Sequence, residues 1–349
     1  GHPRELERAL LWCERPVTEA PVELVILHRD RRDPTDTMRF LSPRPRLRLH
    51  HHLTPGDAAD LGRLGRLLTG NGVLLVLSGG GARGLCHIGV LRALEDVGVP
   101  VDFVGGTSVG SMFGGLAAIG WSSTRMEAFA RESLTTRLQD LTLPLLSLIR
   151  GHEGTRITRE TFGDRRIEDQ RINYFCLSAD LCTGEEVVHR TGPLWRAIRA
   201  SVSIPGFLPP LMDGERCLVD GGVLNNLPTD VMDRLYPGRI LAVDAGQDRR
   251  FDVPAALPLN VPGWRMLLRR LNPLAPRDLH IGDVLMRSAE IASARMGRAG
   301  IGYGRAELTL CPPVHGFRML DFRPVRTIVD VAYRHVHDEV QRWWGGWPE

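Results

Sequence analysis

The sequence contains no lysine, so all 44 of its basic residues are arginines. We attribute this bias to the composition of the genome, but it has a chemical consequence. A lysine Schiff base, a Ser–Lys catalytic pair and a Walker-type phosphate loop each need a lysine amine. These three kinds of site are therefore excluded.

The sequence also lacks a strong net charge, because 41 acidic residues leave a formal net charge of only +3. Proteins that bind the backbone of a nucleic acid usually carry a concentrated basic patch. We therefore predict that this protein has no nucleic-acid partner.

Metal-binding patterns are missing as well. The six cysteines are scattered, and none belongs to a CxxC pair or a Cys/His cluster with the spacing of a zinc site. His50, His51 and His52 are consecutive, so they cannot all face one ion from a strand or a helix. We predict reduced thiols in a cytosolic protein, with no metal and no cofactor.

The sequence starts with Gly1-His2 and has no initiator methionine, which suggests a cut or processed fragment. Its first residues lack the charged-then-apolar pattern of a signal peptide. Residues 103–121 carry no charge over about the length of a membrane span. They include six glycines, which favours a buried strand, a tight turn and a helix packed through small residues.

Residues 1–70 differ from the rest of the chain, and we predict an upstream subdomain or an ordered linker there. Residues 22–27 are strand-like, and an arginine- and proline-rich stretch follows over residues 29–48. Residues 57–68 have the periodicity of an amphipathic helix. Its predicted apolar stripe consists of Leu61, Leu64, Leu67 and Leu68.

Strand and helix patterns alternate over residues 71–250, the predicted catalytic domain. This alternation is typical of a mostly parallel sheet with helices on both faces. Strands are predicted at residues 73–77, 101–104, 172–179, 218–219 and 240–243, and helices at 85–96, 193–200 and 228–235. For residues 251–349 we predict a C-terminal helical extension packed on this domain. Its helices cover 283–298 and 325–344, with a strand-like stretch at 307–311.

Residues 106–110 read Gly-Thr-Ser-Val-Gly and lie between a predicted strand and a helix-like run. In that context a G-x-S-x-G sequence is typical of a nucleophile elbow, in which flanking glycines allow a sharp turn around the serine. The helix that begins behind the serine favours negative charge. The alternative is an ordinary glycine-rich turn. We predict that Ser108 is a nucleophile.

A second glycine-rich turn, Gly79-Gly80-Gly81-Ala82-Arg83-Gly84, also lies between a strand and a helix. Its backbone amides suit either a dinucleotide pyrophosphate or an oxyanion. A dinucleotide site needs an acid at the end of the second strand, whereas Asp102 lies at its beginning. That reading also leaves Ser108 without a role, so the pattern favours an oxyanion hole.

The sequence places no histidine where it could obviously act as a base for Ser108. His87 falls in a helix, and His152 and His189 have no visible partner. Asp220 ends an apolar strand and precedes two glycines, which puts a carboxylate at the edge of the sheet. A simple Asp-Gly turn is the alternative.

These three blocks, residues 79–84, 106–110 and 220–222, resemble in order the signature blocks of patatin-like phospholipases. Further stretches resemble the neuropathy target esterase branch, namely residues 67–70, 87–91, 208–210, 225–228 and 343–347. The resemblance runs from about residue 22 to the end. It implies a three-layer α/β/α fold with a mostly parallel central sheet.

The resemblance also implies a function. Ser108 and Asp220 would form a catalytic dyad without histidine or metal, and Gly79, Gly80, Gly81 and Arg83 would form the oxyanion hole. Arg83 would steady the loop or add positive potential. The expected substrate is a phospholipid or lysophospholipid, cleaved by a cytoplasmic enzyme at a peripheral membrane surface. Larger members of the branch carry upstream cyclic-nucleotide-binding domains, for which this chain has no room.

Three regions could contact the lipid or the membrane. Residues 141–149 are apolar and could form a lid, an acyl-chain groove or ordinary core. Residues 203–211 form a proline-rich apolar loop that could line the same cleft. The closing tryptophans, at 343–347, could anchor at a membrane interface or pack on the domain.

A catalytically silent lipid-binding or regulatory module of the same fold remains the alternative function, and a dinucleotide-binding domain is a distant third.

Overall fold

The computed structural model describes residues 21–135, 147, 149–246, 291 and 306–346. Its main sheet has eight strands within those residues, in the order β10-β9-β3-β4-β5-β8-β7, with β6 also paired to β5. The strands of this sheet are β3 (Val73–Leu77), β4 (Phe103–Thr107), β5 (Asn173–Asp180), β6 (Glu185–His189), β7 (Leu211–Asp213), β8 (Arg216–Asp220), β9 (Arg239–Val243) and β10 (Ala306–Leu310).

The sheet is mostly parallel, as the alternating pattern predicts. The pairs β10–β9, β9–β3, β3–β4 and β4–β5 are parallel. Only β6, β7 and β8 pair in the antiparallel sense. Every residue of the central strand β3 is buried, because helices cover both faces of the sheet.

Helices form a layer on each side of this sheet, which confirms the three-layer fold. The described helices are α1 (Met38–Leu41), α2 (Ala58–Leu68), α3 (Cys86–Val97), α4 (Val109–Ala118), α5 (Ser123–Phe129), α6 (His152–Phe162), α7 (Leu194–Ser201), α8 (Thr229–Leu235) and α9 (Val325–Gly345). Val73, Leu75 and Leu77 pack with α3, α4, α7 and α9 on one face. Leu74 and Val76 pack with α2 and α8 on the other.

The upstream residues form an ordered unit against the second face. Strand β1 (Val22–Leu27) pairs in parallel with β2 (Leu47–Leu53) in a separate two-stranded sheet. The Tyr236 hydroxyl donates to Glu23 at 3.1 Å, and Asn173 Nδ2 donates to the His50 carbonyl at 3.1 Å. The histidines of β2 were not predicted to lie in a strand.

Helix α2 differs from the predicted apolar stripe. Leu61 is 48% exposed and Leu68 is 59% exposed, so the stripe is wrong at these two positions. The helix buries Asp60, Arg63 and Leu67 instead. Asp60 and Arg63 pair with each other at 2.8 Å, and this pairing lets two charged side chains occupy the inner face.

The C-terminal region contributes a strand, where the strand-like stretch at 307–311 was predicted, as well as a helix. Strand β10 adds to the edge of the main sheet beside β9. Helix α9 packs on α3, where Arg92 pairs with Asp330 at 2.8 Å. The predicted helix at 283–298 lies outside the described residues apart from residue 291. Over the described part of the chain, no helix has both the length and the apolar character needed to cross a bilayer.

Candidate active site

Ser108 lies on a sharp turn between β4 and α4, as the elbow pattern predicts. Its backbone has φ +56° and ψ −128°, a conformation that non-glycine residues rarely adopt. The turn leaves no room beside it: a Cβ on Gly106 would lie 2.7 Å from Gly110, and a Cβ on Gly110 would lie 2.3 Å from the Leu77 carbonyl oxygen. Both glycines are therefore required by the close approach of β3 and α4.

The carboxylate of Asp220 meets this serine. Ser108 Oγ donates to Asp220 Oδ2 at 2.5 Å, and the amide of Gly222 donates to Asp220 Oδ1 at 2.8 Å. Ser108 is 5% exposed and Asp220 is 2% exposed. In the described residues, Asp220 is the only side chain that shares a hydrogen bond with Ser108 Oγ.

The strand register explains why these two residues meet. Strand β6 lies along one edge of β5, from Cys176 to Asp180. Along the opposite edge, β5 pairs with β4 as far as Leu177 and then with β8 from Ser178 onward. Strands β4 and β8 run toward each other and meet end to end on that edge. The elbow that follows β4 therefore faces the last residue of β8.

Burial changes the chemistry of Asp220. Removal from water raises the pKa of its carboxyl group to about 6, although the hydrogen bonds from Ser108 and from the Gly222 amide act in the opposite direction. A carboxylate with a pKa near neutrality accepts a proton more readily than an exposed one. The pair thus combines a short hydrogen bond with a carboxyl group that is more basic than an exposed aspartate.

The glycine turn of residues 79–84 lies directly against the serine. A Cβ on Gly79 would come within 3.0 Å of Ser108 Cβ. The Gly79 amide, however, donates to the Asn226 carbonyl at 3.1 Å, so it is already engaged. Within the described chain, the amides of Gly80 and Gly81 have no acceptor. The oxyanion hole stays a prediction, and the amides of Gly80 and Gly81 are its candidate donors that have no other acceptor among the described residues.

Residues from the C-terminal region hold this turn in place. The Ala82 amide donates to the Met319 carbonyl at 2.6 Å. Gly81 has φ +56°, and a Cβ there would lie 2.3 Å from the same carbonyl oxygen. The C-terminal region therefore shapes the turn and permits only glycine at position 81.

Arg83 lies in the glycine turn and is buried. Its side chain is 1% exposed, and its amide donates to the Gly80 carbonyl at 3.2 Å. Burial raises the pKa of the Cys86 thiol and the Arg83 charge lowers it, so the guanidinium lies near Cys86 on α3. The two roles predicted for Arg83, steadying the loop or adding positive potential to the oxyanion hole, stay predictions.

The histidines are placed elsewhere. His87 is fully buried with Nε2 2.8 Å from the Ser78 carbonyl oxygen, and burial lowers its pKa to about 4. His189 contacts Ser178 Oγ at 2.8 Å. His51 contacts Glu23, while His50 and His52 both reach the Glu168 carbonyl oxygen. Among the described residues, no three His, Cys, Asp or Glu side chains are grouped to hold a metal ion.

Sequence comparison identifies a known family over the part of the chain that carries this site. A sequence profile described as Patatin-like phospholipase matches residues 75–233, which include the elbow, the glycine turn and Asp220. Residues 75–233 belong to the patatin-like phospholipase family.

The relatives place the chain in the neuropathy target esterase branch. It is 36% identical to patatin-like phospholipase domain-containing protein 6 of Homo sapiens over 95% of this chain and 26% of that protein. It is 38% identical to Lysophospholipase NTE1 of Kluyveromyces lactis over 87% of this chain and 21% of that protein. It is 33% identical to Neuropathy target esterase sws of Drosophila melanogaster over 95% of this chain and 25% of that protein. The chain thus spans about a quarter of these relatives.

Several residues of this patatin-like site were not identified from the sequence. Ser201, the last residue of α7, accepts a hydrogen bond from the Ser108 amide at 2.9 Å. Thr107 Oγ1 donates to the Asn225 carbonyl at 3.0 Å, and Asn226 Nδ2 reaches the Gly79 carbonyl at 3.4 Å. Residues 225–228 carried a family signal, whereas nothing in the sequence marked Ser201.

The predicted lipid-contact regions of this patatin-like chain have different outcomes. The loop over residues 203–211 does reach the site, because the Ser203 carbonyl accepts from the Asp220 amide at 2.9 Å. Of residues 141–149, only Ser147 and Ile149 are described, and both are buried. Trp343 and Trp344 pack on the domain, where Trp343 Nε1 donates to Glu307 at 3.0 Å. Trp347 lies outside the described residues.

Proposed function

We propose that this protein is a serine esterase that hydrolyses an acyl ester of a lipid. The observation that carries the proposal is the 2.5 Å hydrogen bond from Ser108 Oγ to Asp220 Oδ2, between two side chains that are almost fully buried. In the proposed reaction, Ser108 Oγ attacks the ester carbonyl carbon while its proton passes to Asp220. An ordinary aspartate is a weak base, and the pKa of about 6 supports its use here.

The amides of Gly80 and Gly81 would stabilise the oxyanion that this attack creates. They lie in the turn next to the serine, and the start of helix α4 adds positive potential at the same place. Asp220 would then return the proton to the departing alcohol. A water molecule deprotonated by Asp220 would hydrolyse the acyl-enzyme and restore Ser108.

The proposed substrate is a glycerophospholipid or a lysophospholipid. This choice draws on the relatives, one of which is named a lysophospholipase, and on the family to which residues 75–233 belong. The loop after Ser203 supports it, because it is rich in apolar residues and its first carbonyl, that of Ser203, bonds the Asp220 amide.

Peripheral association with a membrane stays a prediction. Flotation with phosphatidylcholine vesicles tests this prediction. The protein should rise with the vesicles, and recovery of all protein in the dense fraction would contradict it.

The catalytic proposal is tested with a fluorophosphonate probe and a lysophosphatidylcholine hydrolysis assay. Wild type should label and hydrolyse, whereas Ser108→Ala should do neither. Asp180→Asn is a matched control for Asp220→Asn, because Asp180 is 3% exposed and pairs with Leu218 on the same two strands. The carboxamide oxygen in this control would still accept the amides of Cys182 and Cys217. Labelling that survives Ser108→Ala would refute the proposal.

A further inference from the structure

The C-terminal end of helix α7 contacts the backbone of both residues of the proposed dyad. Ser201 Oγ accepts a hydrogen bond from the Ser108 amide at 2.9 Å. Two residues later, the Ser203 carbonyl accepts from the Asp220 amide at 2.9 Å. Ser201 and Ser203 are fully buried. The short segment 201–203 therefore accepts hydrogen bonds from the amide that follows β4 and from the last amide of β8.

Ser108 needs such support more than most residues. Its positive φ is unfavourable for a residue with a side chain, and a strained conformation persists only where its surroundings hold it. The peptide that precedes Ser108 sets the direction of its amide, and the Ser201 hydroxyl fixes that direction. Without this acceptor, a buried amide would lose its partner at the point of highest strain.

Arg199 fixes the segment itself. It is 3% exposed, and its guanidinium donates to Thr155 Oγ1 at 3.0 Å, to Ser203 Oγ at 2.5 Å and to the Pro209 carbonyl at 3.2 Å. These contacts tie helix α6, the end of α7 and the apolar loop together. Ser201 is therefore presented to Ser108 from a rigid support.

We propose that Ser201 is a positioning residue for the nucleophile: its hydroxyl holds the Ser108 amide and so keeps Ser108 Oγ within hydrogen-bond distance of Asp220. This inference rests on the proposed Ser108–Asp220 chemistry and adds to it a residue that touches neither substrate nor Asp220. Because effects of misplacement reach about 100-fold for shifts near 1 Å, loss of this one hydroxyl should be visible in the rate.

Loss of a positioning role at Ser201 should change the pH dependence of the rate, which general destabilisation of the protein would not do. The hydrogen bond from Ser108 lowers the pKa of Asp220, while burial raises it. If Ser108 Oγ moves away, the lowering contribution is lost and the pKa of Asp220 rises. The acid limb of the rate against pH should then move to higher pH.

The experiment compares Ser201→Ala with Ser123→Ala, using lysophosphatidylcholine hydrolysis and fluorophosphonate labelling. Ser123 is also buried, at 2% exposure, but its hydroxyl bonds Glu95 on α3, away from the dyad. For Ser201→Ala we expect kcat to fall about 10- to 100-fold with little change in KM. The acid limb of its rate against pH should move to higher pH. Ser201→Cys, which keeps a weak acceptor, should fall between wild type and Ser201→Ala. Ser123→Ala should keep the wild-type profile.

Two failures can be told apart. If Ser108→Ala or Asp220→Asn still labels and hydrolyses, the dyad itself is wrong. If those variants are inactive but Ser201→Ala matches Ser123→Ala in kcat and in pH profile, only the positioning role is overturned. Thermal melting of each variant shows whether the compared proteins are folded. If Ser201→Ala is unfolded, the kcat and pH profile of Ser201→Cys decide the question.

Discussion

Two aspartates are buried in this molecule to a similar degree, and their surroundings differ. Asp220 is 2% exposed and Asp60 is 1% exposed. Asp220 has two neutral donors, the Ser108 hydroxyl and the Gly222 amide. Asp60 accepts from Arg63 at 2.8 Å, from Arg171 at 2.9 Å and from the Thr54 amide at 2.9 Å.

The two pKa values move in opposite directions. Burial raises the pKa of Asp220 to about 6, because neutral donors offset only part of the cost of removing its charge from water. Burial also acts to raise the pKa of Asp60, but the Thr54 amide and the charges of Arg63 and Arg171 bring it below its ordinary value. Burial thus yields a usable base only where no cation compensates the carboxylate.

The largest expected effect comes from exchanging each aspartate for asparagine. Asp220→Asn should reduce hydrolysis by at least about 1,000-fold and leave stability equal or higher, since an uncompensated buried charge is removed. Asp60→Asn should do the reverse, because it leaves Arg63 and Arg171 without their carboxylate. Breaking a buried pair costs about 3–5 kcal/mol. Urea unfolding and lysophosphatidylcholine hydrolysis measure the two effects, and an active but destabilised Asp220→Asn would invert the comparison.

A change in the glycine turn should affect catalysis without altering Asp220. A methyl group at Gly81 would meet the Met319 carbonyl at 2.3 Å and would sit on a residue with φ +56°. We expect Gly81→Ala to displace an oxyanion donor and to reduce kcat about 100-fold, with the acid limb of the pH profile unchanged.

Gly98→Ala is the control for backbone strain alone. Gly98 also has a positive φ, of +79°, but a Cβ there would meet nothing within 4 Å. This variant should lose some stability and keep its kcat. Equal loss of kcat in both variants would mean that the turn at Gly81 has no special role.

The pH dependence of activity and of stability should also distinguish Asp220 from Asp60. Activity should fall as the pH drops below about 6, because protonated Asp220 cannot accept the serine proton. Asp220 and Asp60 should change the free energy of unfolding in opposite directions as the pH rises. The folded protein binds the Asp220 proton more tightly than the unfolded chain does, so the Asp220 contribution to the free energy of unfolding falls as pH rises from about 4 to 6. The lowered pKa of Asp60 gives a contribution that is present above its ordinary value of 3.8 and is lost in acid.

Urea unfolding of wild type and Asp220→Asn between pH 4 and 7 measures this contribution. The variant should gain stability relative to wild type as the pH rises through about 6. A difference that does not change with pH would show that the pKa of Asp220 is not raised in the folded protein.

Much of the fold was predictable because β3 and its neighbours are short apolar runs separated by helical periodicity. The central strands and helices α3, α7, α8 and α9 lie within a few residues of their predicted bounds. Helices α5 and α6 and strands β6 and β7 were not predicted. The buried face of α2 was misjudged because periodicity counts apolar residues and cannot detect that Asp60 and Arg63 neutralise each other.

The site was predictable in its residue types and not in its assembly. The glycines around Ser108 and Asp220 mark sharp turns, so the motifs stand out in the sequence. That β4 and β8 meet end to end depends on the register along β5, which no local pattern encodes. The engagement of the Gly79 amide by Asn226 and of the Ser108 amide by Ser201 likewise needs tertiary structure.

The smallest expected effect is at the charged side of the comparison, where Glu23 receives the Tyr236 hydroxyl at 3.1 Å. Glu23 also pairs with the Arg48 guanidinium and contacts His51 Nε2 at 2.6 Å, so it keeps a cation and a second hydrogen-bond partner when the phenol is removed. Tyr236→Phe should therefore cost only about 1 kcal/mol in the free energy of unfolding and leave kcat unchanged. Urea unfolding measures the loss, with Tyr333→Phe on α9 as a tyrosine control outside this cluster. A loss several times larger would mean that the neutral Tyr236 hydroxyl, and not the Arg48 charge, holds the carboxylate of Glu23 in place, and the contrast with Asp220 would then rest on Asp60 alone.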